Sequence, residues 1–450
     1  MNYKITPTPA EKWIINPITK FISKSTTGGI VLFVTAVLAI FLANSQFQES
    51  YHHIWEHQFG FYFDGESYLN LSLHHWINDG LMAVFFFVVG LELKREIIGG
   101  ELSQPKKALL PIVAAIGGMI FPALIFTIFN FGTEASHGWG IPMATDIAFA
   151  LGVLYLLGDK IPLTLKVFLT ALAIVDDLGA VLVIAFFYTE EINFLALGIG
   201  LGFLAFLFIC NKLGIRSILF FILIGIFGVW LPFLLSGVHA TIAAVLVAFM
   251  IPGNSRIEEN FFVNKIQNYL EQFKKLDSNN NPTLTEDQLH VLDEIKTTTK
   301  DAISPLHRLE HSLHSFVSFI VMPVFALANA GVTFSSDIIA NTTSNVTLGV
   351  ALGLLIGKVI GVFGISSLMI KLRLSALPAG MTNKSLFGVG LLASIGFTMS
   401  LFVTGLAFNS PEYELQAKLG IFAASLIGGI FGFIVLKNSK KSLTNLNTNA

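Results

Sequence analysis

Charged residues are scarce in this sequence. Asp, Glu, Lys and Arg make up only 12 % of the 450 residues, about half of the share found in soluble domains. Hydrophobic residues reach 54 % and include 42 phenylalanines, which excludes a disordered chain. Because so few charges cannot cover the surface of a soluble protein of this length, the composition indicates a polytopic membrane protein.

Cysteine and net positive charge are also lacking. The single cysteine, Cys210, lies in an apolar run and has no partner for an internal disulfide, which excludes a disulfide-rich scaffold. The formal net charge of −2 provides no basic surface for phosphate groups. A nucleic-acid partner is therefore excluded as well.

Long apolar runs, in contrast, are abundant, and each is a candidate transmembrane helix because about 20 apolar residues cross the hydrocarbon core. Very short turns occur near residues 158–162 and 232–236, so eleven spans with one half-inserted segment are an alternative to twelve. The predicted spans lie near residues 28–45, 74–98, 107–130, 141–157, 162–187, 193–211, 215–233, 236–251, 313–333, 347–370, 385–408 and 414–436.

Basic residues lie on one side of these spans. If the N-terminus is cytoplasmic, all but two of the 27 Lys and Arg residues lie in the N-terminal segment, the inner loops, the inner ends of the spans or the C-terminal tail; the exceptions are Lys358 and Lys418. The positive-inside rule therefore places both termini in the cytoplasm. The first apolar run has no clear signal-peptide cleavage site, so we interpret it as a retained span.

The spans divide the chain into five segments. Spans 1–8 lie within residues 28–251, and spans 9–12 lie within residues 313–436. Residues 1–27, 252–312 and 437–450 are predicted to form a cytoplasmic N-terminal segment, a cytoplasmic helical insert and a cytoplasmic tail. In the outer loop after span 1, alternating polarity around an Asp-Gly turn predicts a β-hairpin near residues 60–72.

The cytoplasmic insert is predicted to contain two helices. Apolar residues at helical spacing indicate the first, and Thr283 with Glu286 predicts a capping box for the second. The stretch DSNNNPTLTEDQ, which begins after the first helix, starts like an EF-hand loop, but Pro282 and Gln288 stand where that loop needs glycine and glutamate. A polar linker is therefore favoured over a calcium site.

Four ionisable side chains lie deep within the predicted spans: Asp146, Asp176, Asp177 and Lys358. Such groups are costly in lipid and mark pathways or binding sites. Asp176 and Asp177 are adjacent in span 5 and point about 100° apart on a helix. One carboxylate can therefore face a water-filled funnel while the other faces a neighbouring helix; a purely structural pair is the alternative.

Two spans show signs of an interrupted helix. Pro142 removes a backbone donor shortly before Thr145 and Asp146, and helix breaks at membrane depth are tolerated only where they line a cavity. Residues 388–405 hold a second cluster of glycines and hydroxyl residues, for which close helix packing is the alternative. A paired break in the two halves of a chain is typical of transporter binding sites.

Lys358 lies in a span with a glycine at every fourth position, from Gly349 through Gly353 and Gly357 to Gly361. This stripe predicts a smooth helix face that a neighbouring backbone can approach closely. The natural partner of Lys358 is one of the buried aspartates; a lysine that snorkels to the interface is the alternative.

Carboxylate, hydroxyl and carbonyl oxygens suit a small hard cation such as sodium. Two adjacent acids also bind protons as a coupled pair, so the same site can hold protons or a metal ion but not both. If two protons exchange for one sodium ion, each cycle moves one net charge, worth about 2.3 kcal/mol per 100 mV. The residues thus predict an ion exchanger that opens to one side of the membrane at a time.

The sequence resembles the NhaA-type bacterial sodium/proton antiporter family. The resemblance runs in order from about residue 28 to 436, and only the tails and the 253–303 insert lie outside it. The matching stretches are MAVFFFVVGLELKREI, AAIGGMIFPALI, GWGIPMATDIAFALG, LTALAIVDDLGA, SGVHATIAAV, RLEHSLH, PVFALANAGV, LIGKVIG and IGFTMSLFVTGLAF.

The resemblance implies the function of individual residues. The ion- and proton-binding pair would be Asp176 and Asp177, with Asp177 favoured as the ligand of a transiently bound sodium ion. Thr145 and Asp146 would lie where the broken helices cross, and Lys358 would form a salt bridge with Asp176. Asp79 would line the ion path, and the pH-response network would comprise Glu92, Arg95, Glu96, His239, Glu310 and His311.

The resemblance also implies an architecture and partners. Spans 3–5 and 10–12 would form an inverted repeat in an all-α membrane fold with two discontinuous crossing helices. The hairpin would join two copies into a homodimer in the bacterial inner membrane. Sodium or lithium and protons would be transported without any cofactor, in an electrogenic and pH-regulated exchange.

Other interpretations fit parts of the sequence. Glu92 and Glu96 also fit solvated helix ends, and His239 also fits a packed core histidine. An intramembrane aspartyl protease would use two aspartates from different helices, but the sequence lacks the motifs of such proteases and has a deep lysine, Lys358. A proton-coupled transporter of an organic solute and a non-transporting pH sensor are further alternatives.

Overall fold

The computed structural model describes residues 26–63, 66–189, 192–276, 283–334 and 338–439. Most of them are helical. The helices are α1 (Thr27–Ala43), α2 (Gln48–Glu56), α3 (residues 73–99), α4 (Pro105–Asn130), α5 (Ile147–Tyr155), α6 (Leu163–Phe187), α7 (Phe194–Lys212), α8 (Ile218–Leu235), α9 (Ala240–Met250), α10 (Glu259–Lys275), α11 (Glu286–Ala302), α12 (Pro305–Asn329), α13 (Ile338–Thr342), α14 (Asn345–Lys371), α15 (Asn383–Leu392), α16 (Phe397–Ala407) and α17 (Pro411–Lys437).

Each of the twelve predicted spans contains helical residues. Within the described residues, eight helical segments are long and apolar enough to cross a membrane, and ten if two sharply bent pairs each count as one span. The other two predicted spans correspond to α3, which carries several charged residues, and to α9, which has only 11 residues. The number twelve and the inverted repeat therefore stay predictions.

The predicted hairpin is present. Strand β1 (Gln58–Phe63) pairs antiparallel with strand β2 (Glu66–Ser72), with an irregular register between Phe59 and Phe61. The Asp-Gly turn at positions 64 and 65 lies outside the described residues. The indole N–H of Trp76 donates to the carbonyl of Phe59 at 2.8 Å, which ties the hairpin to α3.

The insert forms two helices, α10 and α11, as predicted, but the predicted capping box of Thr283 and Glu286 is wrong. The side chains of Thr285 and Gln288 instead accept from each other's backbone N–H groups, at 3.3 and 3.1 Å. Helix α11 starts two residues later than the pattern indicated, and its capping box is therefore formed by residues two positions farther along the chain. Residues 277–282 of the linker lie outside the described part.

The glycine stripe of α14 packs against α4, as predicted. A Cβ atom at Gly357 would lie 2.6 Å from the Cα of Pro122, and one at Gly361 would overlap the carbonyl of Gly117. Only glycine permits this approach of the two backbones. The contact holds α14, which carries Lys358, directly against its neighbour.

The buried apolar residues form two clusters. The main cluster gathers side chains from α1, α4, α5, α6, the second half of α12 and α14 to α17, together with one face of α3. The side cluster is built on α7, α8 and α9, with Leu91 of α3 and the start of α12. The helices of the predicted ion site belong to the main cluster. The predicted N-terminal segment and tail lie outside the described residues, except Thr26, Thr27 and residues 437–439.

Candidate functional site

Two helices are interrupted, and the interruptions meet. A 3₁₀ helix (Glu134–Met143) and α5 are separated by extended residues 144–146, while α15 and α16 are separated by residues 393–396. The backbone N–H of Asp146 donates to the carbonyl of Ile395 at 2.7 Å, and the hydroxyl of Thr145 donates to the carbonyl of Ala393 at 3.0 Å. The two predicted breaks are therefore present and in contact.

Asp146 caps both half-helices that begin at the crossing. One carboxylate oxygen accepts from the backbone N–H of Phe149 in α5 at 2.9 Å. The other accepts from the backbone N–H of Thr398 in α16 at 3.0 Å and from the hydroxyl of the same residue. Two helix N-termini thus direct their partial positive charge at one fully buried carboxylate. Asp146 thus lies at the crossing of the two interrupted helices.

Thr398 and Ser400 complete the crossing. The hydroxyl of Ser400 donates to the carbonyl of Ile141, at the end of the 3₁₀ helix, at 2.9 Å. Both hydroxyl residues are fully buried. The sequence pattern marks Thr398 only as part of the second break, and sequence reasoning missed Ser400; the signal was a pair of hydroxyl residues just after a glycine in an apolar span.

The ion pair predicted between Lys358 and Asp176 is present. The ammonium nitrogen lies 2.6 Å from a carboxylate oxygen, and both residues are 1 % exposed. Lys358 lies between two π-helical turns, Gly353–Gly357 and Val359–Gly364, which are irregularities often found at functional positions. Thr145 also lies beside the Asp176 carboxylate, so the ion pair adjoins the crossing.

Asp177 differs from its neighbour. It is 1 % exposed, and neither of its carboxylate oxygens has a hydrogen-bond partner among the described residues. The charges of Asp176 and Asp146 both act on it. A buried carboxylate without partners is costly as an anion. It is therefore suited to bind a proton or a small cation in place of missing protein donors.

Asp79, which was predicted to line the ion path, has its ion pair within its own helix. Asp79 lies on a π-helical turn of α3 and pairs with His75 at 3.0 Å; its place on an ion path stays a prediction. In the described part of the chain, no group of three or more His, Cys, Asp or Glu side chains is arranged to hold a metal ion. Sodium binding by Asp176 and Asp177 also stays a prediction.

Most of the predicted pH-response residues form one cluster. Arg95 forms ion pairs with Glu310 and, at 2.9 Å, with Glu96. Glu92 lies 3.8 Å from His314, a residue that sequence reasoning missed although it is one helical turn after Glu310. One carboxylate oxygen of Glu310 is buried without a partner among the described residues.

Two of the predicted pH-response residues lie apart from this cluster. His311 is exposed on α12. His239 precedes α9, and its Nε2 atom lies 3.0 Å from the carbonyl oxygen of Tyr188 at the end of α6. Lys94 of α3 binds the carbonyls of Phe249 and Ile251 at the opposite end of α9. Helix α9 therefore lies between His239 and the cluster around Arg95.

The fold and the buried charges define a class of protein. Discontinuous helices that meet at membrane depth beside paired carboxylates are the architecture of secondary transporters. Comparison with known proteins gives the family: the profile described as Na+/H+ antiporter 1 matches residues 19–436.

Curated relatives agree with this match. The chain is 47 % identical to the Na(+)/H(+) antiporter NhaA of Wolinella succinogenes, over 92 % of each protein. It is 49 % identical to the Na(+)/H(+) antiporter NhaA 2 of Syntrophotalea carbinolica, over 94 % of this chain and 96 % of the relative. The chain therefore belongs to the Na+/H+ antiporter 1 family, and it is a transporter rather than an enzyme.

Proposed function

We propose that this protein exchanges Na+ or Li+ for H+ across a membrane. Its membership of the family and the names of its relatives support this activity. The observation that carries the proposal is the environment of Asp177, a buried carboxylate without hydrogen-bond partners among the described residues that adjoins an aspartate–lysine ion pair. No organic solute is needed to explain such a site.

Competition for one site couples the movements of the two ions. The Asp177 carboxylate binds either a proton or, together with Asp176, a sodium ion, because the same oxygens serve both ligands. Lys358 neutralises Asp176 when sodium is absent. Asp146 and the two helix N-termini that it caps hold the crossing in place beside the pair. Transport then requires that the pair opens to one side of the membrane at a time.

The exchange is electrogenic in this proposal. Two protons move for each sodium ion, so one net charge crosses the membrane per cycle. That charge is worth about 2.3 kcal/mol per 100 mV of membrane potential, and the potential can therefore drive sodium out of the cell against its gradient. A membrane-potential dye in vesicles measures this, and exchange that leaves the potential unchanged would contradict it.

The cluster around Arg95 is proposed to set the pH response. Glu310 has one carboxylate oxygen without a partner among the described residues and is paired through the other with Arg95. A change of charge here alters the contact between α3 and α12, which Arg95 and Glu310 connect. Glu310→Gln is expected to shift the pH dependence of exchange; an unchanged profile would remove the cluster from regulation.

The protein is proposed to lie in the bacterial inner membrane with both termini in the cytoplasm. The distribution of Lys and Arg residues supports this orientation. Labelling of single cysteines placed near each terminus, in a background without Cys210, tests it. Labelling from the outer side would contradict the orientation.

Two copies are proposed to associate through the hairpin β1–β2. A two-stranded sheet has exposed edges that can pair with a second copy. Light scattering of the purified protein should give the mass of a dimer, and shortening the hairpin should give the mass of a monomer. A shortened variant that stays dimeric would place the interface elsewhere.

The direct test is proton movement in everted membrane vesicles. Addition of Na+ or Li+ should collapse a pH gradient reported by a fluorescent dye, whereas K+ should not. Asp177→Asn should abolish this response because an amide holds neither the proton nor the charge. Asp301→Asn is the matched control, since Asp301 pairs with Arg256 in the insert. Full activity of Asp177→Asn would refute the proposed site.

A further inference from the structure

Tyr188 closes α6 eleven residues after Asp177 and connects this helix to two others. Its hydroxyl donates to the carbonyl of His137 at 2.7 Å and accepts from the backbone N–H of Gly140 at 3.1 Å. Both partners belong to the 3₁₀ helix that leads into the crossing at Asp146. One phenol group thus fixes the helix of the aspartate pair to the interrupted helix.

The close approach depends on a glycine. A Cβ atom at Gly140 would lie 2.7 Å from the Tyr188 hydroxyl oxygen and 3.1 Å from its ring, closer than side-chain atoms tolerate. The ring of Trp139 stacks on that of Tyr188, with centroids 6.4 Å apart. The 3₁₀ helix is therefore held by hydrogen bonds and by ring contact at the same place.

The backbone carbonyl of Tyr188 makes a third connection. It lies 3.0 Å from Nε2 of His239, which precedes α9 of the side cluster, whereas α6 belongs to the main cluster. Tyr188 therefore lies where the two packed parts of the protein meet. Burial raises the pKa of the Tyr188 hydroxyl above its ordinary alkaline value, so the group stays protonated at the pH of a transport assay and can donate to His137.

We infer that Tyr188 is a positioning residue for the ion site, which fixes the 3₁₀ segment and the crossing at Asp146 relative to Asp176 and Asp177. The inference rests on the proposed antiport function. The hydroxyl does not touch the ion; it acts through the backbone that carries Thr145 and Asp146. Its loss leaves the ligands in place but less firmly oriented, so sodium binding weakens while the exchange steps remain.

Tyr188→Phe tests this by removing only the hydroxyl. The sodium concentration for half-maximal exchange should rise about fivefold or more, the effect of losing about one net hydrogen bond. The maximal rate should stay within about twofold, and the pH profile should keep its midpoint because the carbonyl that binds His239 remains. Tyr413→Phe is the matched control, since no hydrogen bond of its hydroxyl occurs among the described residues and its ring packs on Phe408.

A second variant reaches the same contact from the other side. Gly140→Ala should also raise the half-saturating sodium concentration, because the added methyl displaces the Tyr188 hydroxyl. Gly198→Ala serves as its control, since a Cβ there meets no atom within 4 Å. Amide hydrogen exchange of a peptide covering residues 134–146 should be faster in Tyr188→Phe, which reports the loosened segment without any transport assay.

The outcomes separate this inference from the proposed function. A wild-type protein without sodium-dependent proton movement refutes the function itself. If the wild type is active and Asp177→Asn is not, but Tyr188→Phe keeps wild-type half-saturation, the positioning role is refuted while antiport stands. Faster hydrogen exchange with unchanged half-saturation also refutes the positioning role, as does an equal effect of Tyr413→Phe.

Discussion

At the scale of single residues, burial of the ion pair of Asp176 and Lys358 has a high desolvation cost. Each group loses several kcal/mol of solvation on burial, and their mutual attraction does little more than balance this loss. A well-packed apolar pair of the same volume would be as stable. The pair therefore contributes little net stability, and in our proposal its value lies in a charge balance that sodium and protons can alter.

Breaking this pair on one side should be costly. Lys358→Met leaves the Asp176 carboxylate buried without a counter-charge, which typically costs about 3–5 kcal/mol. We expect a clearly lower melting temperature of the purified protein. The double variant Lys358→Met/Asp176→Asn should recover most of the loss, because it removes the uncompensated charge. A double variant no more stable than Lys358→Met would show that the two groups are not energetically coupled.

Two features of the helices determine where these charges lie. The crossing leaves backbone groups of four helix ends without intrahelical partners, and side chains of Thr145, Asp146 and Ser400 supply hydrogen bonds to some of them. The glycine stripe of α14 then brings Lys358 close to α4 by direct contact of two backbones. The glycines of α14 and the capping side chains at the crossing therefore determine where the charged groups of the site lie.

A methyl group in the stripe should separate these two helices. In Gly361→Ala the added Cβ would overlap the carbonyl of Gly117 and lie 2.6 Å from the N atom of Gly118. Overpacking of this kind costs about 1–3 kcal/mol, so the melting temperature should fall. Gly364→Ala, on the same helix, meets only the end of a side chain at 3.9 Å and should be neutral. Equal stability of the two variants would contradict the close packing.

The sequence predicted these elements to different degrees. Apolar run length was enough to locate most of the helices, since about 20 apolar residues are needed to cross the hydrocarbon core. Pro142 indicated the first break because proline removes a backbone donor. Local patterns could not pair Asp146 with Thr398, which is 252 positions away, or Glu92 with His314. Such pairings are set by tertiary packing. The sequence also offered two capping boxes of equal spacing at the start of α11, and local spacing could not choose between them.

At the scale of the whole molecule, the site lies in the main cluster beside a smaller side cluster. Alternating access requires these or similar bodies to move relative to each other, and the contact between Tyr188 and His239 joins them at one end. In the proposed exchange, this movement must depend on whether Asp177 binds a proton or a sodium ion. Competition between sodium and protons at this residue is therefore the central claim.

Proton release on sodium binding measures that competition most directly. Purified protein in weakly buffered detergent solution near neutral pH receives NaCl, and a pH dye reports the protons released per molecule. We predict release with Na+ or Li+, none with K+, and none in Asp177→Asn, while Asp301→Asn behaves like the wild type. Sodium-dependent transport by a protein that releases no protons on binding sodium, or undiminished release by Asp177→Asn, would contradict the claim.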